Sequence, residues 1–253
     1  NRDNWGVRNF RALKSLLVKE VQESLSEFMP LTSSSYYNNP IQVLDFFSGA
    51  GGTSLGFAAL NTVIPTFKML GGCDINQISA QTYSRNFAPP VIHEDIVRLA
   101  NEEGALETLL ESIGFDTNKP TILIGCAPCQ GFSSHRKRHW DEEYDDRNSL
   151  VMAFATIVGK IMPDVNVMVN VPEFLSQKYW RYFSAAKKSY QQLGYTVKEH
   201  IYNAAAFGVP QDRFRTIVIG MKKEFLLPEG YLTPNEFRTV RDAISKLPPV
   251  AAG

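Results

Sequence analysis

Apolar residues recur at helical spacing between positions 10 and 28. Phe10, Leu13, Leu16, Leu17, Val21, Leu25 and Phe28 are separated by Lys and Glu, so the stretch reads as an amphipathic packing helix that Pro30 ends. Residues 31–40 (LTSSSYYNNP) are polar and turn-rich, a linker into the main domain. From position 41 the pattern changes to short β-branched runs at 41–47, 67–73, 91–93, 121–124 and 165–171, which read as buried strands. Helical periodicity returns between them at 76–86, 97–112, 148–160 and 177–193. A strand pair is expected over Thr196–Tyr202 and Arg215–Gly220, and after Leu226 the chain loosens into text rich in Pro and Gly. Strands alternating with helices, without internal repeats, predict an α/β fold with a doubly wound, mostly parallel sheet. The division expected is residues 1–39, helix and linker, and 40–253, one α/β domain.

The first strand, Ile41–Phe47, runs into Ser48-Gly49-Ala50-Gly51-Gly52-Thr53-Ser54 and a helix beginning at Leu55. Strand, glycine turn and helix form the nucleotide-binding opening: glycines let backbone approach a ligand, and the helix start offers free N–H groups. Ser54 occupies the third glycine position of G-x-G-x-x-G, a departure from that pattern. Asp45, at the strand's end, would crowd a pyrophosphate but suits a cationic or hydroxyl-rich ligand. Asp74 ends the second strand, where an acid binds ribose hydroxyls, and Asp95 follows the third. These features favour an adenosine cofactor without pyrophosphate, S-adenosylmethionine, over a dinucleotide.

The strand at 121–124 empties into Gly125-Cys126-Ala127-Pro128-Cys129-Gln130-Gly131-Phe132-Ser133. Such a turn presents its side chains at the carboxyl edge of a sheet, where open α/β folds place their sites. Pro128 stiffens the turn, and a thiol at Cys129 is a nucleophile if something nearby favours the thiolate. Cys126 and Cys129 also read as a redox pair or half a zinc site, but Cys73 is the only other cysteine and the four histidines show no ligand spacing. Cys126 reads best as a buried structural residue. Ser134–Arg147 is a long charged loop, either solvated or a functional lid.

Composition narrows the setting. No apolar run approaches a membrane span, and three cysteines offer no disulfide framework. An intracellular setting is expected, a bacterial cytoplasm or a eukaryotic nucleus, with no membrane or metal partner. Twenty-six basic residues balance 26 acidic ones, so any grip on nucleic acid must be local. The chain opens on Asn1 rather than Met, so a trimmed or processed form is expected.

Taken together, Asp45-Phe46-Phe47-Ser48-Gly49-Ala50-Gly51-Gly52, Cys73-Asp74-Ile75-Asn76, Asp95-Ile96, Pro128-Cys129-Gln130-Gly131-Phe132-Ser133, Asn170-Val171-Pro172 and Gln211-Asp212-Arg213-Phe214-Arg215 resemble the DNA (cytosine-5)-methyltransferases, in that family's linear order. The likeness spans roughly residues 41 to 250. It implies that Cys129 adds to C6 of a cytosine flipped out of double-stranded DNA, readying C5 for the methyl of S-adenosylmethionine. It implies a cofactor site of Asp45, Phe46, Ser48, Gly49, Gly51, Gly52, Asp74, Ile75, Asp95, Ile96 and Pro128. Arg213 and Arg215 would face the target base and its phosphate. Gln130, Ser133, Arg136, Lys137 and Arg138 would contact DNA from a mobile loop, residues 131–147.

Two departures accompany the likeness. Val169 stands where the family has a catalytic glutamate, so slow methyl transfer is expected. The family's target-recognition region and its last, asparagine-containing motif have no counterpart in these residues. A truncated chain, a second polypeptide, or a permuted arrangement using the 10–28 helix would each account for that. Two further functions stay open: a catalytically silent partner subunit that binds the cofactor or DNA, and a tRNA cytosine-5 methyltransferase.

Overall fold

In the computed structural model, which describes residues 40–61, 65–128, 146–177 and 179–247, the apolar runs pair into one seven-stranded sheet. Its strands are β1 (Ile41–Phe46), β2 (Phe67–Asp74), β3 (Ile92–His93), β4 (Thr121–Gly125), β5 (Val165–Asn170), β6 (Thr196–Asn203) and β7 (Phe214–Met221). Their order is β3-β2-β1-β4-β5-β7-β6. β1 to β5 pair in parallel, while β7 runs against both of its neighbours. The doubly wound expectation holds, and the winding reverses between β1 and β4, the switch point where such sheets open a crevice. The 10–28 stretch and residues 129–145, which hold Cys129 and most of the charged loop, lie outside the described residues, whereas Asp146 and Arg147, expected at the loop's end, already belong to a helix.

The helices are α1 (Ser54–Leu60), α2 (Gln77–Phe87), α3 (Ile96–Asn101), α4 (Ala105–Ser112), α5 (Asp146–Ile161), α6 (Trp180–Gln192) and α7 (Val240–Ile244). The single helix expected over 97–112 is two. Gly104, at φ +76°, breaks the backbone between α3 and α4, because a left-handed residue cannot continue a right-handed helix. Asn76 caps α2 by accepting from Ser79 N at 3.0 Å. The loosened tail also gains order: Thr239 and Asp242 form a capping box that starts α7.

One continuous core lies against one face of the sheet. Leu44, Phe46, Leu123 and Met168 meet Phe154, Ile157 and Val158 of α5 and Phe183 and Tyr190 of α6. β1 is buried almost throughout, which explains its lack of alternation: central parallel strands are covered on both faces. β6, an edge strand, carries Lys198, Glu199 and His200, charged or polar groups that discourage pairing with another sheet.

Gly125 closes β4 against this core. A Cβ there would fall 2.7 Å from two atoms of the buried Phe154 ring. Gly125→Ala is expected to lower stability by about 1–3 kcal/mol through overpacking. Urea denaturation checks this, and an unchanged midpoint would contradict it.

Candidate active site

Because β1 to β5 run the same way, their carboxyl ends gather on one edge. Phe46–Ser48, Asp74, Asp95, Cys126–Pro128 and Asn170–Val171 all stand there. The reversed strand β7 brings its beginning to the same edge, since Thr216 pairs with Asn170. Arg213 and Arg215 thus join residues more than forty positions earlier in the chain. Asn203 holds this segment: its Oδ1 accepts from Arg213 N at 3.1 Å and its Nδ2 donates to Asp212 at 2.9 Å.

The glycine turn is clamped by Asp74. One carboxylate oxygen accepts from Gly49 N at 2.9 Å, the other from Asn76 N at 2.8 Å. Gly49 takes a left-handed backbone, φ +54°, and a Cβ on Gly49 or Gly52 would meet nothing within 4 Å. The backbone therefore borders open space, as close approach of a ligand requires. Beside it Ile75 and Ile78 are 68% and 75% exposed, apolar side chains next to the acid. An acid at a strand end, an apolar flank and a bare turn fit an adenosine: hydroxyls to the carboxylate, a ring against Ile75.

Several expected residues sit differently. Phe46 is fully buried and meets Phe154 edge-on, with ring centroids 6.2 Å apart, so it belongs to the core. Its neighbour Phe47, half-buried at φ +56°, stands at the turn instead. Asp45 is also closed off, because strand alternation turns it to the face opposite Phe46, under Ser54 of α1. Ser48 is largely buried; its N–H donates to Cys73 O at 3.2 Å, so it ties the turn to β2. Ile96 is buried too, leaving only its backbone to face a ligand, and Asp95 caps α3 through Val97 N at 2.8 Å.

Pro128 is half-buried at the end of the β4 turn. Cys129, Gln130, Ser133, Arg136, Lys137 and Arg138 lie outside the described residues. Burial, reinforced by nearby carboxylates, pushes the Cys73 thiol up to about 12, which suits an inert core residue. Val169 is half-buried opposite Ile217, and Arg215, two residues from Ile217, shares its face. Arg213 is exposed. Among the described residues no cluster could hold a metal ion, and no helix is long and apolar enough to cross a membrane.

Sequence reasoning passed over the partnership of Ser54 and Tyr83. Ser54 Oγ donates to Asp45 Oδ2 at 2.7 Å and lies 2.9 Å from the Tyr83 hydroxyl. The signal available was Ser54 itself, a polar residue in a glycine's place.

A doubly wound sheet with a glycine turn and acids closing successive strands defines the class: a Rossmann-like fold of the S-adenosylmethionine-dependent methyltransferase type. Comparison with known proteins makes it specific. The sequence profile of C-5 cytosine-specific DNA methylases matches residues 41–248, and the chain belongs to that family. Type II methyltransferase M1.HphI of Haemophilus parahaemolyticus is 35% identical over 220 residues, 86% of this chain and 55% of its own. Type II methyltransferase M.AquIA of Picosynechococcus is 29% identical over 234 residues, 82% of this chain and 89% of its own. A solved structure described as a DNA modification methyltransferase from an E. coli prophage superposes with a TM-score of 0.64 at 28% identity, covering 83% of this chain and 56% of that one. The chain spans about half the length of the first four curated relatives.

Burial, opposed by the Ser54 bond and aided by the Asp74 charge, lifts the Asp45 carboxyl from 3.8 to about 7. Between those values the unfolded chain is ionised while the folded one keeps its proton. The folded state then holds more protons, so this contribution to stability falls as pH rises from about 4 to about 7 and levels off above. Asp45→Asn is expected to remove that fall, as urea midpoints at pH 4.5, 6 and 7.5 would report. An identical pH dependence in the variant would refute the assignment.

Proposed function

We propose that the protein transfers a methyl group to C5 of a flipped-out cytosine in DNA, through a covalent adduct at Cys129. The observation that carries this reading is the convergence of the family's segments, among the described residues, on one sheet edge, in a chain that the family profile spans from 41 to 248. Asp74, Ile75 and the Gly49–Gly52 turn would hold S-adenosylmethionine, and Asp95 and Pro128 would flank it. When bound there, S-adenosylmethionine supplies an electrophilic methyl group.

The remaining work falls to side chains. Cys129, as thiolate, adds to C6 and makes C5 nucleophilic; loss of the C5 proton and of the cysteine later restores the ring. Arg213 and Arg215 would receive the base and its phosphate, while Gln130, Ser133 and Arg136–Arg138 would contact the duplex. A stacked base hides its ring carbons, so extrusion comes first, at a cost of roughly a few kcal/mol. Recognition of DNA sequence is assigned to protein outside these residues, later in the same polypeptide or on a second one.

Val169 sets the expected pace and supports a second reading. Valine gives the base's polar edge neither donor nor acceptor, which costs about 1–3 kcal/mol for an unmade bond. Lost acid–base assistance removes on the order of 10²–10⁴ in rate. A protein so limited would serve as a partner subunit that binds the cofactor or DNA with little turnover of its own.

S-adenosylmethionine or its demethylated product should raise the thermal midpoint of the full chain, by an amount equivalent to about 2.7 kcal/mol at a hundredfold excess over Kd. Asp74→Ala should shrink that shift by removing both the clamp on Gly49 and the ribose acceptor. Equal shifts in the two proteins would sink the role given to Asp74.

The catalytic reading is tested on DNA carrying 5-fluorocytosine, with the recognition region supplied. Covalent trapping should be slow in the wild type, faster by roughly 10²-fold or more in Val169→Glu, and absent in Cys129→Ser. Trapping that survives Cys129→Ser would refute the nucleophile, and equal rates with valine and glutamate would refute the role of position 169.

A further inference from the structure

Ser54 stands in a glycine's place, and the catalytic reading gives it no role. It is wholly buried and forms the middle of a three-residue chain. Its hydroxyl donates to Asp45 Oδ2 at 2.7 Å and lies 2.9 Å from the Tyr83 hydroxyl. A serine has one proton to give, so with that proton directed at Asp45 the Tyr83 hydroxyl donates the second bond.

The ring of Tyr83 grips the turn from the other side. A Cβ on Gly51 would lie 3.0 Å from Tyr83 Cδ2, and one on Gly72 would lie 2.4 Å from the same atom. The ring therefore fits between the turn and β2 because both positions are glycine. Asp45 lies one residue inside the end of the strand before the turn, and Ser54 opens the helix after it. The chain of hydrogen bonds thus ties the two limbs of the turn to α2.

Asp45 is 1% exposed, and its Oδ1 has no partner among the described residues. A bare anionic oxygen there would be costly, whereas a neutral carboxyl avoids most of that cost. The groups facing it are Ser54 of α1, Tyr83 of α2, and Asp74 and Cys73 of β2, with Ile124 of β4 in register beside it. None is a cation, and Asp74 opposes a second negative charge. Burial and that opposition outweigh the Ser54 bond, which places the carboxyl's titration near pH 7.

We propose that Asp45, Ser54 and Tyr83 are a positioning network for the adenosine cofactor, competent while Asp45 is neutral and loosened once it is charged. The proposal rests on the cofactor reading given under Proposed function. A charge on Asp45 draws water toward its unpartnered oxygen and repels Asp74, whose carboxylate clamps Gly49. Both effects act on the turn that the ligand must approach. Apparent affinity then follows the protonated fraction: a protein one-tenth competent binds tenfold more weakly.

The test is calorimetric titration of the full chain with S-adenosylhomocysteine between pH 6 and pH 8. This probe lacks the sulfonium charge, so direct attraction to a carboxylate does not bias the result. Wild-type affinity should weaken by roughly tenfold over that range, while Asp45→Asn should bind with nearly constant affinity. Tyr83→Phe keeps the ring but drops the donor, so Ser54 supports the carboxylate less well. Its fall in affinity should therefore move to higher pH. A merely structural role would weaken binding in the variants without changing the profile. Should Asp45→Asn fail to fold, the displaced profile of Tyr83→Phe decides the matter. A flat wild-type profile, a profile retained in Asp45→Asn, or an undisplaced one in Tyr83→Phe overturns the network. No binding by the wild type at any pH overturns the cofactor reading and the network with it.

Discussion

Parallel strands covered on both faces leave polar side chains few places to go except the strand ends. That constraint organises this protein. Asp74 stands at the end of β2, Asp95 beyond β3, and Asn170 at the end of β5, all on one edge. The first of these engages two backbone N–H groups, Gly49 and Asn76, so protein groups themselves fix the turn. Preorganisation of this kind reduces what binding must order. The same constraint explains β7: a reversed strand next to β5 is the means by which Arg213 and Arg215 reach that edge.

Asp45 is one exception, a polar residue one step inside the strand end. It is held there by Ser54, whose hydroxyl donates to Oδ2 at 2.7 Å, with its other oxygen unpartnered among the described residues. Asn170 shows a milder form of the same cost. Its Oδ1 accepts from Val171 N at 2.8 Å, while its buried Nδ2 has no partner among the described residues. Groups left partly unsatisfied at the carboxyl edge of the sheet fit the general tendency of sites to carry local strain that the rest of the fold supports.

Position 169 is where fold and chemistry part company. A β-branched residue at that half-buried strand position is what a sheet prefers, and Val169 stands in register opposite Ile217. A glutamate there would share a face with Arg215, giving the strand a charge pair at the cost of apolar packing. The family membership and the fold are indifferent to the choice; only the proposed chemistry depends on it.

The alternation of apolar strands and helical periodicity was enough to read the α/β class, the doubly wound sheet and most element boundaries, because these follow from local spacing. The glycine turn, Asp74 and Asp95 were legible for the same reason: each is a residue type at a strand end. Other features required the third dimension. Which of two adjacent phenylalanines faces the core is settled by strand alternation and by Phe154, over a hundred residues away. The split between α3 and α4 turned on one left-handed glycine whose weight periodicity does not register. The Asp45–Ser54–Tyr83 chain joins a strand and two helices, and the place of Arg215 beside Val169 depends on the reversal of β7. Short-range pattern determines what each segment becomes, whereas partners distant in the chain are chosen only when those segments pack.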